Sequence, residues 1–369
     1  MKTSIGNDFV LKIGLGMAKI GTLQKFDLEH VENRLAVLEE LASFGKVFVD
    51  TSPIYGSGFS ENILSNILAT NREKYYIATK YFPENSHTAK DLIYSVEKSI
   101  NRMKVDQIDL LQIHWPNPLA NLNQILKGFS SLKSNQFVKN IGLCNFTNNE
   151  IEELSRNNPE IEFVSNQVEL HIGNMNRMLS RHSFSTPKII AYGSILQGRY
   201  TFSKKQRSQL IKSANDYCVS PAALAILILM YKFEDCLPVL KISNTKHLAE
   251  ILQVFSFSRD LFNINQDLQS LKSEISFVDP EEITLSGDEF RKPYLTFDEA
   301  KKNTLQLFPS PVSLAQRIRQ FNIVLPVKVA SQVSGKFLVD PYDPFDQVKK
   351  FWAWRLAYPN ERIPIDIIE

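Results

Sequence analysis

The chain has 369 residues, 43% of them hydrophobic and 22% charged, the balance of an ordinary soluble globular protein with room for one large domain and a smaller one. Its 42 basic and 40 acidic residues leave a net charge of +2, which removes the electrostatic case for a dedicated nucleic-acid binder. Three scattered cysteines, Cys144, Cys218 and Cys236, supply neither a disulfide framework nor a zinc site, so no metal is expected and a reducing cytoplasm is the simplest setting.

The opening MKTSIGNDFVLKIGLG has no long apolar core, so no signal peptide is expected. From about 11 to 255, short strand-like runs alternate with longer helix-like runs, the order of β/α units around a parallel sheet. Strands are predicted at 11–16, 47–52, 75–81, 108–114, 140–145, 163–169, 188–193 and 237–243. Helices are predicted at 27–44, 60–71, 88–103, 120–135, 147–157, 174–182, 205–217 with 221–233, and 245–255. The apolar run PAALAILILMY (221–231) is too short for a bilayer and reads as a buried helix, so no membrane partner is expected. Eight such units within about 250 residues are the size of a (β/α)8 TIM barrel, an α/β fold. The sixth unit is short, because HIGNMNRMLSRHSFSTP leaves room for only a brief helix.

Beyond about 256 the texture changes. The barrel is assigned to 1–262, a connector to 263–276, and a small α+β domain to 277–369. Within that domain, helices are predicted at 309–322 and 347–359, and strands at 324–331, 335–341 and 362–368.

Asp50, Tyr55, Lys80 and His114 follow successive strands, in VFVDTSPIYG, YYIATKY and IDLLQIHWP. In a barrel of this kind chemistry sits at the C-terminal ends of the strands. A lone Asp, Lys or His after a strand is ordinarily a cap or turn residue. Four such groups at aligned strand ends are instead a proton-donating site. A phenol titrates near pH 10 and is a poor acid at neutral pH, but a nearby ammonium favours the phenolate and lowers that value. A carboxylate can hold the lysine in place. Such a group can protonate a carbonyl oxygen as hydride reaches its carbon. GLG at 14–16 lacks the third glycine of a dinucleotide fingerprint and is read as a tight turn.

With these residues in hand, the segment 10–255 resembles the aldo-keto reductase superfamily. The resemblance rests on GLGMAKIG (14–21), DTSPIYGSGFSEN (50–62), ATKYF (78–82), LLQIHWP (110–116), IGLCNF (141–146), SNQVELH (165–171) and AYGSILQG (191–198), in that order. It implies that Tyr55 is the general acid, that Lys80 depresses its pKa with Asp50 orienting Lys80, and that His114 orients the carbonyl. It also implies NADP(H) as cofactor, with NAD(H) as the alternative. Asn145 and Gln167 would meet the nicotinamide carboxamide and Tyr192 would stack on its ring. Gly16, Met17, Gly193, Ser194, Leu196 and Gly198 would complete the cofactor cradle. Lys241, Ser243, Asn244, Thr245 and His247 would lie on the 2′-phosphate side. His247 stands where many NADPH-using members carry arginine, and Ile251 where they carry asparagine. An imidazole does not reproduce a bidentate guanidinium. Phe82 and Trp115 would wall the substrate pocket.

The tail resembles the ParB/sulfiredoxin-like fold through VDPEEITLS (278–286), SLAQRIRQFNIVLPVKV (313–329), GKFLV (335–339) and KKFWAWRLAYPNERIPIDII (349–368). Where that family has a phosphate-binding Gly-x-x-Arg turn, this chain reads DPYDPF (340–345). That departure implies a structural or partner-binding domain.

The expected activity is NAD(P)H-dependent reduction of an aldehyde or ketone, or its reverse, on a small-molecule or a carrier- or nucleotide-linked carbonyl. Two alternatives stand beside it. One is an NADP(H)-binding redox sensor or scaffold with little turnover. The other is a nucleotide-dependent activity of the C-terminal domain.

Overall fold

The computed structural model describes residues 2–21, 26–83, 87–116, 120–146, 148–172, 187–195, 204–233 and 235–256. The predicted helix 174–182, the connector and the C-terminal domain lie outside the described residues.

The chain opens with a feature the strand pattern did not predict. β1 (Lys2–Ile5) and β2 (Asp8–Leu11) form an antiparallel hairpin joined through Gly6 and Asn7. Gly6 takes φ +54°, the left-handed region such tight turns require. The first predicted barrel strand, 11–16, is thereby shortened to β3 (Gly14–Gly16).

Seven further strands follow: β4 (Val47–Asp50), β5 (Tyr75–Tyr81), β6 (Ile108–Ile113), β7 (Val138–Cys144), β8 (Phe163–Glu169), β9 (Lys188–Tyr192) and β10 (Leu237–Leu240). With β3 they form a closed parallel barrel in which β10 pairs with both β9 and β3. Every position of β4, β5, β6 and β10 is buried, as expected for a sheet covered on both faces. Ile5 and Val10 of the hairpin pack with Phe48, Tyr76, Leu110, Ile190 and Leu237 inside the barrel. Asp8 reaches Lys139 of β7 at 2.6 Å, near the start of that strand. The hairpin therefore covers the N-terminal end of the barrel, and the C-terminal end is where chemistry has room.

Among the described residues eight α-helices surround the barrel: α1 (Leu28–Ala42), α2 (Phe59–Asn71), α3 (Ala89–Met103), α4 (Leu122–Ser134), α5 (Asn148–Asn157), α6 (Lys204–Asp216), α7 (Pro221–Lys232) and α8 (Thr245–Ser256). Their starts follow capping chemistry. Asp27 accepts from His30 N, Thr88 and Asp91 form a capping box, and Ser220 caps α7 with Pro221 at its first position. The apolar run 221–231 is a core helix, buried from Ala223 to Leu229. Among the described residues no single helix is long and apolar enough to cross a membrane.

Candidate active site

Asp50 is the last residue of β4, Lys80 the sixth of β5, and His114 directly follows β6. The parallel register sets Asp50 beside Ala78 and Lys80 beside Gln112, so the three groups converge at one end of the barrel. Tyr55 arrives from a 3-10 turn, Tyr55–Gly58, between β4 and α2.

All four groups are buried. Lys80 Nζ donates to Asp50 Oδ1 at 2.7 Å, to the Thr51 carbonyl at 3.0 Å and to Tyr55 Oη at 3.1 Å. The His114 ring stands edge-on to that of Tyr55, with centroids 6.3 Å apart. Trp115 stacks on the imidazole at 5.2 Å, and Phe82 meets it edge-on at 6.1 Å. The two aromatic residues expected to wall a pocket thus lie against His114. His114 Nδ1 is buried without a hydrogen-bond partner among the described residues, a polar atom ready for a ligand.

The electrostatics depart from the sequence expectation in one respect. Lys80 does favour the Tyr55 phenolate, but burial acts more strongly, and the phenol is pushed up to about 12 rather than down. Desolvation penalises the anion more than one ammonium repays, and Asp50 adds to the rise. Burial also lowers Lys80, yet Asp50 and Tyr55 outweigh it and hold the ammonium charged. His114 is driven well below its ordinary value by burial and then by Lys80, so the imidazole is neutral. The resting site is a protonated phenol beside a fixed cation, competent to give a proton and to hold the phenolate left behind.

The buried imidazoles carry a stability consequence. Burial lowers His171 to about 4, and His114 shifts the same way. In the unfolded chain both titrate near 6.5. On acidification the unfolded state therefore binds protons first. Their stability contribution is complete above about pH 6.5 and is lost as pH falls toward the folded values, at roughly 1.4 kcal/mol per pH unit for each group. Urea unfolding at about pH 7 and about pH 5 should show the loss, and H171Q should reduce its slope. A midpoint unchanged between the two pH values contradicts it.

Asn145, at φ +66°, donates to the His114 carbonyl at 3.4 Å and accepts from Tyr192 Oη at 3.0 Å, so these two are joined at the rim. Gln167 bonds two neighbours of the cluster: its Nε2 donates to Asp50 Oδ1 at 3.0 Å, and its Oε1 accepts from Cys144 Sγ at 3.3 Å. Here it supports the carboxylate. Met17 is buried, its N–H bonded to the Asp50 carbonyl at 2.9 Å. Gly193 takes φ +69°, and Ser194 Oγ donates back to the Ala191 carbonyl. Leu196 and Gly198 lie outside the described residues.

On the adenosine side, β10 ends at Leu240, leaving Lys241 and Ser243 in the loop before α8. Asn244 caps α8 by accepting from His247 N at 2.9 Å, and Ser243 Oγ meets His247 Nδ1 at 2.7 Å. Thr245 is the first residue of α8. Lys241 has Arg34 and Lys19 as charged neighbours, and it stands four residues before the first residue of α8. A cation ahead of the N-terminal end of a helix suits a phosphate, so this part of the chain fits the cofactor its sequence implies.

Three contributors were missed. Gln112 donates to Asp50 Oδ1 at 3.4 Å; it stands two residues before His114, and that spacing on a strand was the available signal. Glu61, inside the DTSPIYGSGFSEN segment, is fully buried and accepts from Thr79 Oγ1 at 2.6 Å. Arg34 is fully buried on α1 and donates to the Gly16 carbonyl at 2.6 Å, and burial lowers it to about 10. Nothing in its local sequence marks it.

Gly56 is the most constrained glycine at the site. Its φ is +59°, and an added Cβ would stand 1.9 Å from the Gly21 carbonyl oxygen. G56A should displace the tyrosine turn and destabilise the fold by more than about 1–2 kcal/mol, the ordinary left-handed cost for an L-residue. Thermal unfolding checks this, and a wild-type Tm contradicts it.

Fold and site together define a (β/α)8-barrel protein with a buried Asp–Lys–Tyr cluster and a neutral histidine at the C-terminal rim. The chain belongs to the Aldo/keto reductase family, whose profile matches residues 12–266. An aldo-keto reductase of Mycobacterium avium is 27% identical over 256 residues, spanning 67% of this chain and 81% of the relative. Methylglyoxal reductase DkgA of Escherichia coli is 25% identical over 236 residues, 62% of this chain and 81% of its own. The fold is shared with an aldo-keto reductase from Klebsiella pneumoniae crystallised with NADPH, at TM-score 0.57 and 18% identity over 72% of this chain and 95% of that one.

Proposed function

We propose that this chain is an NADP(H)-dependent oxidoreductase that interconverts a small aldehyde or ketone and its alcohol, with Tyr55 as general acid in reduction and general base in oxidation. NAD(H) is the secondary cofactor. The observation that carries the reading is the buried 3.1 Å contact between Lys80 Nζ and Tyr55 Oη. Bound NADPH supplies the hydride.

The chain's own groups handle the proton and the geometry. Tyr55 gives its phenolic proton to the carbonyl oxygen. Lys80 holds the phenolate that remains, and Asp50, braced by Gln112 and Gln167, keeps Lys80 charged and in place. Neutral His114 donates a hydrogen bond that orients the carbonyl, between Phe82 and Trp115. Asn145, Tyr192 and Met17 would border the nicotinamide, and Lys241, Ser243 and Thr245 the 2′-phosphate.

Fluorescence titration with NADPH and NADH, followed by NADPH consumption on methylglyoxal, aliphatic aldehydes and sugar aldehydes, tests the reading. Carbonyl-dependent turnover with NADPH bound more tightly is expected. Tight binding with no turnover on any carbonyl would favour the sensor reading instead.

A further inference from the structure

Tyr55 is followed by three consecutive left-handed residues: Gly56 at φ +59°, Ser57 at +57° and Gly58 at +91°. Ser57 has a Cβ and pays a steric cost there that glycine does not. A turn of this kind persists only if its surroundings over-determine it, and the start of α2 supplies that determination. Ser60 Oγ meets Thr51 Oγ1 at 2.6 Å and the Met17 carbonyl at 3.4 Å, tying the helix to the residues after β4 and β3.

Glu61 is fully buried and its two oxygens face different elements. Oε1 accepts from Thr79 Oγ1 at 2.6 Å, on the residue immediately before Lys80. Oε2 accepts from Arg102 Nε at 2.6 Å, on α3. Arg102 in turn packs against the turn: a Cβ on Gly58 would stand 2.8 Å from Arg102 Cδ. A second donor of Arg102 is anchored on Ser99 Oγ at 3.0 Å. One carboxylate thus links the helix that follows Tyr55, the strand that carries Lys80, and the arginine wedged beneath the turn.

We infer that Glu61, with Arg102 and Thr79, is a positioning residue that fixes the Tyr55 phenol against the Lys80 ammonium. Glu61 has no exposed surface and is enclosed by these elements. It acts through the two chain segments whose separation sets the distance between donor and ammonium. The inference rests on the role proposed above for Tyr55. Its consequence is specific: loosening the link lowers the proton-transfer step and spares binding.

The test compares E61Q, R102M, R102K and T79V with the wild type, all checked for folding by circular dichroism. E61Q keeps an acceptor for Thr79 and loses the charge that holds Arg102. Its kcat should fall by about tenfold to a hundredfold, with NADPH affinity and carbonyl KM within about twofold of wild type. R102K should recover most of what R102M loses. On a Y55F background E61Q should add almost nothing, because the group it positions is gone. A wild-type kcat in E61Q, an equal loss of NADPH affinity, or a full multiplicative loss on Y55F overturns the inference. If E61Q does not fold, T79V carries the same reading: lower kcat at unchanged KM supports it, and unchanged kcat sinks it. Hydrogen–deuterium exchange over 52–60 supplies a readout independent of turnover. Faster exchange there than in α4 upon E61Q is expected, and equal exchange overturns the inference even where the wild type reduces no carbonyl tested.

Discussion

Y55F should lose carbonyl reduction while still binding NADPH. The substitution removes one oxygen from a buried position and leaves the ring, and with it the edge-on packing against His114. General acid catalysis by a positioned group is worth about 10²–10⁴-fold, so kcat should fall by that order. Cofactor affinity should be nearly unchanged, because the phenol is proposed to meet the carbonyl oxygen rather than the cofactor. Stability should change little, since the phenol's bond to Lys80 is one of three that the ammonium makes. Steady-state kinetics paired with a fluorescence titration separate these effects. Equal losses in kcat and in NADPH affinity would point to a binding role for Tyr55.

K80M should cost both activity and fold. Lys80 and Asp50 are buried, with 2.7 Å between the ammonium and the carboxylate. Breaking a buried pair by removing one partner costs about 3–5 kcal/mol, because the other charge stays in a poor dielectric. Gln112 and Gln167 still donate to Asp50 and soften that cost without cancelling the charge. The phenolate left by proton transfer loses its counter-charge at the same time. K80M should therefore show a lower Tm and a kcat loss at least as large as that of Y55F. The paired variant D50N/K80M should recover stability without recovering turnover. Recovery of turnover in the double variant would mean that the ammonium serves only the fold.

Much of this was legible in the chain because barrel strands are short, buried and separated by long amphipathic helices. The runs at 47–52, 75–81 and 108–114 announced β4, β5 and β6, and the polar residue at the end of each announced a shared rim. Motif order supplied the family. What the chain withheld depends on three-dimensional surroundings. The hairpin β1–β2 is four residues a side, too short for periodicity to declare. The direction of the Tyr55 shift follows from burial, a tertiary quantity that adjacency to a lysine does not reveal. Gln167 occupies its expected strand, and its hydrogen bond to Asp50 joins residues 117 apart in sequence, a link that strand position alone does not reveal. Glu61 lies inside the segment 50–62, but its link to Arg102 spans 41 residues of sequence.

The most direct test of a buried phenol as proton donor is single-turnover NADPH oxidation by wild type and Y55F, at saturating cofactor and carbonyl, in water and in heavy water. The wild type should slow in heavy water, and Y55F should lose its carbonyl-dependent rate while remaining loaded with NADPH. A carbonyl-dependent rate in Y55F equal to that of the wild type would show that the proton comes from elsewhere.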